Sequence, residues 1–203
     1  MDWLVLLIGG HSAAGKTTAA ERLGRALGVP WLMVDDLRLA FQRAEVTLPS
    51  GTEALYLDTQ PGFRRGTPEE QCAALIDVGH VMSAALEAIV ENHVDQQLPI
   101  VIEGDGIVPS LLARPPVLER AAWIRAAFIV EPDESALRTA LASRRGTRAV
   151  GRGRDELQAE SKAKWMFGQW LAEEASRHGL AVVEPRPWDT LPDRLLEKVA
   201  RAR

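Results

Sequence analysis

At 203 residues and 22.2 kDa the chain is long enough for one compact α/β domain with a proper core and too short for two full ones. Apolar residues make up 46% and charged residues 26%, which excludes disorder, collagen-like repeats and coiled coil. With 24 basic against 28 acidic side chains the formal charge is −4, so a general electrostatic grip on nucleic acid or on an anionic membrane is not expected and any anion site must be local.

Trp3–Ile8 is a six-residue apolar run, which predicts a strand buried on both faces and falls far short of the roughly 20 residues that span a bilayer. It lacks the marks of a secretion signal and leads into a glycine-rich loop, so a cytoplasmic location is expected. Lys16–Leu27 then reads as a helix closed by Gly28. Trp31–Val34 is the second strand, ending at Asp35 and Asp36, and a helix is predicted from Leu37 to Arg43. Residues 44–67, broken by prolines and glycines, read as a loop-rich stretch without regular structure.

Thr67-Pro-Glu-Glu70 has the pattern of a capping box and opens a long helix to about Val94, with Leu75, Val78, Met82, Leu86 and Ile89 on its apolar face. Together, residues of about 44–95 form an acceptor-binding insertion in this reading. Strands are predicted over Leu98–Ile102 and Ala126–Val130, ending at Glu103 and Glu131. A helix from Asp133 to Arg144, an Arg- and Gly-rich stretch of about 144–154, and a helix from Asp155 to His178 follow. Leu180–Val183 is the fifth strand and Pro192–Arg201 the closing helix. Alternation at this spacing implies right-handed βαβ units: a three-layer α/β/α domain with a five-stranded parallel sheet, binding its ligand at the carboxyl ends of the strands.

Gly10-His-Ser-Ala-Ala-Gly-Lys-Thr17 fits the phosphate-binding loop G-x-x-x-x-G-K-[ST], with the strand before it and the helix after it that the loop requires. Backbone N–H groups of Gly10, His11, Ser12, Ala13, Ala14 and Gly15 are expected to face phosphate oxygens, aided by the helix N-terminus. Lys16 would supply charge to the β and γ phosphates, Thr17 an oxygen ligand to Mg²⁺, and Thr18 a donor to the α phosphate. The motif predicts the P-loop NTPase fold class, with ATP as the expected phosphoryl donor. All four histidines are taken as structural, and the lone Cys72 as a buried thiol.

Asp35 and Arg38 form an Asp-x-x-Arg unit at a strand end. A carboxylate there can orient an attacking hydroxyl and take its proton, while the Arg holds an anionic acceptor; Asp36 is the expected helix cap. Glu103 is placed to hold Mg²⁺, with Asp105 as its rival or as a contact to the acceptor. Arg144, Arg145, Arg148, Arg152 and Arg154 have the makeup of a lid over the transferring phosphates, Arg144 and Arg148 serving catalysis and Arg145 the nucleotide. A solvated basic surface or a nucleic-acid contact has the same makeup. Pro185-Arg-Pro187 after the fifth strand is placed to line the adenine pocket.

The loop Gly9–Thr18, the unit Val34-Asp-Asp-Leu-Arg38 and the segment Val101-Ile-Glu-Gly-Asp-Gly-Ile-Val-Pro109 resemble those of small P-loop kinases of the nucleoside-monophosphate-kinase-like fold, most of all the 2-phosphoglycerate kinases. The chain differs from that family's typical pattern at Gly106, where it has His, and at Ser110, where it has Gly. The resemblance implies MgATP as donor and a small anionic hydroxy acid as acceptor, with Asp35 and Arg38 matching the family's acid and phosphate-holding Arg. The first two motifs are also similar to chloramphenicol phosphotransferases, and the Asp-x-x-Arg unit to polynucleotide 5′-hydroxyl kinases. The alternatives at this point are therefore an antibiotic or nucleic-acid-end kinase, or a non-catalytic ATP-binding switch module. A membrane or nucleic-acid partner is not expected, and oligomeric state stays open.

Overall fold

The computed structural model describes residues 2–48, 51–57, 63–143 and 154–201. Five parallel strands, β1 (Val5–Gly10), β2 (Trp31–Met33), β3 (Ile100–Glu103), β4 (Ile124–Ile129) and β5 (Ala181–Val183), lie in the order β2-β3-β1-β4-β5. The strand that carries the phosphate loop is thus central, and all six of its residues are buried. Its side chains alternate between two cores. Val5 and Leu7 join Ile102 and Phe128 under α4 (Pro68–Asp95) and α7 (Arg154–Arg177), while Leu6 and Ile8 join Val101 and Ile129 under α1 (Lys16–Leu27) and α8 (Leu191–Arg201). A strand apolar at every position is what burial on both faces demands.

α4 is long and apolar enough, by length and composition, to cross a membrane. Here Met82, Leu86 and Val90 are fully buried against the sheet and α7, and that packing accounts for its apolarity. Its start carries the expected capping box: Thr67 Oγ1 accepts from the Glu70 N–H at 3.2 Å and Glu70 Oε2 from the Thr67 N–H at 2.8 Å. Cys72 is buried and free, as expected.

Two expectations are corrected. α2 spans Val34–Arg43, beginning at the residue after β2, so Asp36 is no cap; Met33 holds that position and makes no side-chain capping hydrogen bond. Both aspartates sit in the first turn, where the helix dipole favours negative charge. The stretch 44–67 is also not devoid of structure: it contains α3 (Thr52–Leu55) and a 3₁₀ turn at Phe63–Arg65. Short α5 (Pro115–Leu118) and 3₁₀ turns at Pro109–Ala113, Ala121–Trp123 and Trp188–Thr190 complete the connections, with α6 (Glu134–Ser143) after β4.

Candidate active site

Register assembles the site. Glu103, the last residue of β3, pairs with Ile8 of β1 on one side and Met33 of β2 on the other, so the acid lies between the phosphate loop and the first turn of α2. A cleft of about 730 Å³ opens over these strand ends, lined by the loop, by Asp35, Glu103 and Asp105, by Thr139 and Ser143 of α6, and by Arg186 and Trp188 after β5.

The loop bends through two left-handed residues, Ala13 (φ 65°) and Gly15 (φ 81°). Gly15 is doubly constrained: a Cβ there would lie 2.3 Å from the Trp188 ring. Lys16 is 8% exposed and its ammonium folds back on the loop, donating to the His11 carbonyl at 3.1 Å. Ser12, Thr17 and Thr18 line the cleft, whereas Ala14 is turned into the core beneath it. The His11 ring faces away from the cleft. Its Nε2 accepts the Glu131 N–H at 2.9 Å, so Nδ1 carries the proton and donates to the Ser12 carbonyl at 2.8 Å. Burial, aided by the Lys16 charge, drives its pKa down to about 4. His11 is therefore a neutral strut tying the loop to the end of β4.

Opposite the loop stands an acidic corner. The Thr17 hydroxyl donates to Glu103 Oε1 at 2.8 Å, and burial raises the Glu103 pKa against the pull of Lys16. Ser12 Oγ donates to Asp105 Oδ2 at 3.0 Å, and Asp105 in turn shares a side-chain hydrogen bond with Asp35. Two carboxylates in contact cannot both ionise at ordinary cost. The Asp105 charge, then burial, pushes Asp35 up to about 6. Burial opposes ionisation of Asp105 too, but the charges of Lys16 and Arg38 prevail and bring it down to about 2. Arg38, three residues beyond Asp35 on α2, acts on both acids.

Among the described residues no group of three or more acidic, His or Cys side chains could hold a metal alone. The Thr17 hydroxyl and Glu103 carboxylate nevertheless offer adjacent hard oxygens. That donor set fits Mg²⁺, which retains several waters and is commonly shared with phosphate oxygens.

The structure thus brings Gly10–Thr18, Asp35, Arg38, Glu103 and Asp105 together. Arg144, Arg145 and Arg148 lie outside the described residues. The loop after β5 does line the cleft, through Arg186, and Arg186 is held by the buried Glu131 at 2.7 Å. Sequence reasoning missed Trp188, whose carbonyl and that of Asp189 accept from Arg22 at 3.4 and 2.9 Å. It also missed Lys164 of α7, whose charge acts on Asp105 and His11. An isolated lysine in a helical pattern carries no sequence signal; a Trp beside the loop expected to line the adenine pocket was within reach.

No family model matches the chain. It is 33% identical over 115 residues to a 2-phosphoglycerate kinase of Methanothermobacter thermautotrophicus, covering 54% of this chain and 37% of that one. A 2-phosphoglycerate kinase of Methanopyrus kandleri is 25% identical over 114 residues, covering 55% and 35%. The matched stretch therefore spans little more than a third of the length of these curated relatives. Among solved structures, a gluconokinase from Sinorhizobium meliloti superposes with a TM-score of 0.51 at 15% identity, covering 97% of this chain and 91% of that one. With its central phosphate-loop strand and parallel sheet, the chain has the three-layer fold of the small P-loop kinases, and in sequence it is similar to 2-phosphoglycerate kinases.

Proposed function

We propose that the chain is an ATP-dependent phosphotransferase that moves the γ-phosphoryl group to a hydroxyl of a small anionic molecule resembling 2-phosphoglycerate. The observation that carries this reading is the hydrogen-bonded pair Asp35 and Asp105 facing the same cleft as Lys16 and the Thr17–Glu103 contact. A carboxylate beside a phosphate loop has a use in transfer to a hydroxyl that it lacks in mere nucleotide storage.

In this mechanism the loop amides and Lys16 hold the phosphates, with Thr18 on the α phosphate. Thr17 and Glu103 would hold Mg²⁺, which when bound neutralises charge on the β and γ oxygens. Asp35 orients the acceptor hydroxyl and takes its proton as the hydroxyl oxygen bonds to the γ phosphorus and the bond from that phosphorus to the β–γ bridging oxygen breaks, ADP leaving with the electron pair. Asp105, held by Ser12, keeps Asp35 facing the acceptor and raises its basicity. Arg38 receives the acceptor's anionic group. Arg144 and Arg148 are assigned to the transition-state charge and Arg145 to the nucleotide. Little covalent work falls to the protein, because the transition state is loose and is served by position and charge.

The test is ADP release from MgATP across a panel of hydroxyl compounds headed by 2-phosphoglycerate. One acceptor should stimulate release, and Asp35→Asn should lower that rate by about 10²- to 10⁴-fold while leaving ATP affinity within about threefold. Tight MgATP binding that no hydroxyl compound converts to turnover overturns the reading in favour of a switch module.

A further inference from the structure

α7 presents to this corner a stripe that the mechanism above leaves unused. Ser161, Lys164 and Gly168 fall at i, i+3 and i+7, within an arc of about 60° at the pitch of an α-helix. The direction of the stripe is fixed by its lower end, where a Cβ on Gly168 would meet His11 Cδ2 at 2.6 Å. One turn up, Lys164 has only 17% of its side chain exposed, and its ammonium donates to Glu160 Oε1 of the preceding turn. With so little of it exposed and in phase with Gly168, the side chain lies on the acid-corner face of α7, where its charge lowers the pKa of both Asp105 and His11. One turn further lies Ser161, 2% exposed, whose hydroxyl has no hydrogen-bond partner. A buried hydroxyl left unsatisfied is a cost that a ligand oxygen would remove.

We propose that Lys164 and Ser161 form, with Arg38, the seat for the anionic group of the acceptor, so that α7 sets a preference for acceptors bearing an oxyanion. The inference rests on the phosphotransferase reading for the word acceptor, but not for the seat itself. Two cations from separate helices, α2 and α7, converge on acids that a neutral acceptor would leave to balance them. A lysine is a strong point charge for a phosphate or carboxylate, and a serine hydroxyl adds a donor of fixed position. Of the two oxyanions phosphate offers more oxygens to three donors.

The experiment uses the full chain saturated with MgADP, so that the phosphate loop is filled, and titrates inorganic phosphate and, separately, acetate by calorimetry. Phosphate should bind more tightly than acetate. Lys164→Met should weaken phosphate binding about 10- to 100-fold, in keeping with loss of a charged hydrogen bond. Ser161→Ala should weaken it about 3- to 10-fold, and Lys164→Arg should keep it within about threefold. ADP affinity, unchanged in all three, shows that the variants are folded. Tighter binding of acetate than phosphate, both lost in Lys164→Met, keeps the seat and makes it a carboxylate site. Phosphate binding that is absent, or that Lys164→Met leaves intact, overturns the seat. The two readings fail separately. Anion binding governed by Lys164 without any acceptor-stimulated ADP release sinks the transfer reaction alone. Transfer to 2-phosphoglycerate with the same KM in Lys164→Met as in the unaltered chain sinks the seat alone.

Discussion

Asp35 keeps its proton to higher pH than an ordinary aspartate because Asp105 lies against it and is the better ionised of the two. In the proposed role of general base it works only when deprotonated, so kcat/KM for the acceptor should fall as pH drops below about 6. Asp105→Asn removes the largest cause of the shift and should move that acid limb to lower pH, a displacement read directly from the pH–rate profile. Asp35 and His11 bear on stability with opposite signs. His11, neutral when folded, titrates at about 4 against 6.5 when free, so its contribution is present above 6.5 and is lost on acidification toward 4. Asp35, held protonated, titrates at about 6 against 3.8, so its contribution is present at low pH and is lost as pH rises through 6. The two offset each other between pH 4 and 6. Asp35→Asn should leave His11 unopposed, so that denaturant unfolding shows a steeper loss of stability from pH 6 to 4 than in the unaltered chain.

Among the elements, α7 touches the phosphate loop through the one place where it has no side chain. Gly168→Ala puts a methyl group 2.6 Å from the His11 ring, whose Nε2 accepts from Glu131. The ring must move, and the loop to which its backbone belongs moves with it. The expected cost is about 1–3 kcal/mol in stability, accompanied by weaker MgADP binding, both measurable by thermal unfolding with and without nucleotide. Most of this architecture was legible in the sequence, since the apolar runs, the capping box and the loop motif are local signals that local physics obeys. α1 and the capping box of α4 fell where their residues predicted. The start of α2 did not: nothing in Val34-Asp-Asp-Leu37 marks whether an aspartate caps the helix or follows a cap, and the parallel pairing of Met33 with Glu103 settles it. The Asp35–Asp105 contact was likewise illegible, because it joins the first turn of α2 to the loop after β3, which only the pairing of β2 with β3 brings together. Gly106 gains a reason from the fold as well. A Cβ there would lie 3.0 Å from Val34 and 3.4 Å from Met82, so a histidine at that position needs both to give way.

For the molecule as a whole, two cores on opposite faces of one sheet meet at β1, and the loop that leaves this strand is anchored to both. A ligand that binds such a loop stabilises the entire fold by mass action, by about 2.7 kcal/mol at a hundredfold excess over Kd. For a domain of 203 residues that corresponds to a rise of about 5–10 °C in Tm with MgADP. Asp35→Asn should show the same rise, because Asp35 is assigned to the acceptor and not to the nucleotide; a much smaller rise would mean that it helps to hold the metal or the phosphates. Finally, of the six tryptophans in the chain Trp188 alone lines the described cleft, 42% exposed, with its ring against Gly15. An indole resting on the bend of the phosphate loop is a built-in optical probe. Its emission should change when nucleotide arrives, without any dye, so that the filling of the loop could be timed in rapid mixing separately from turnover.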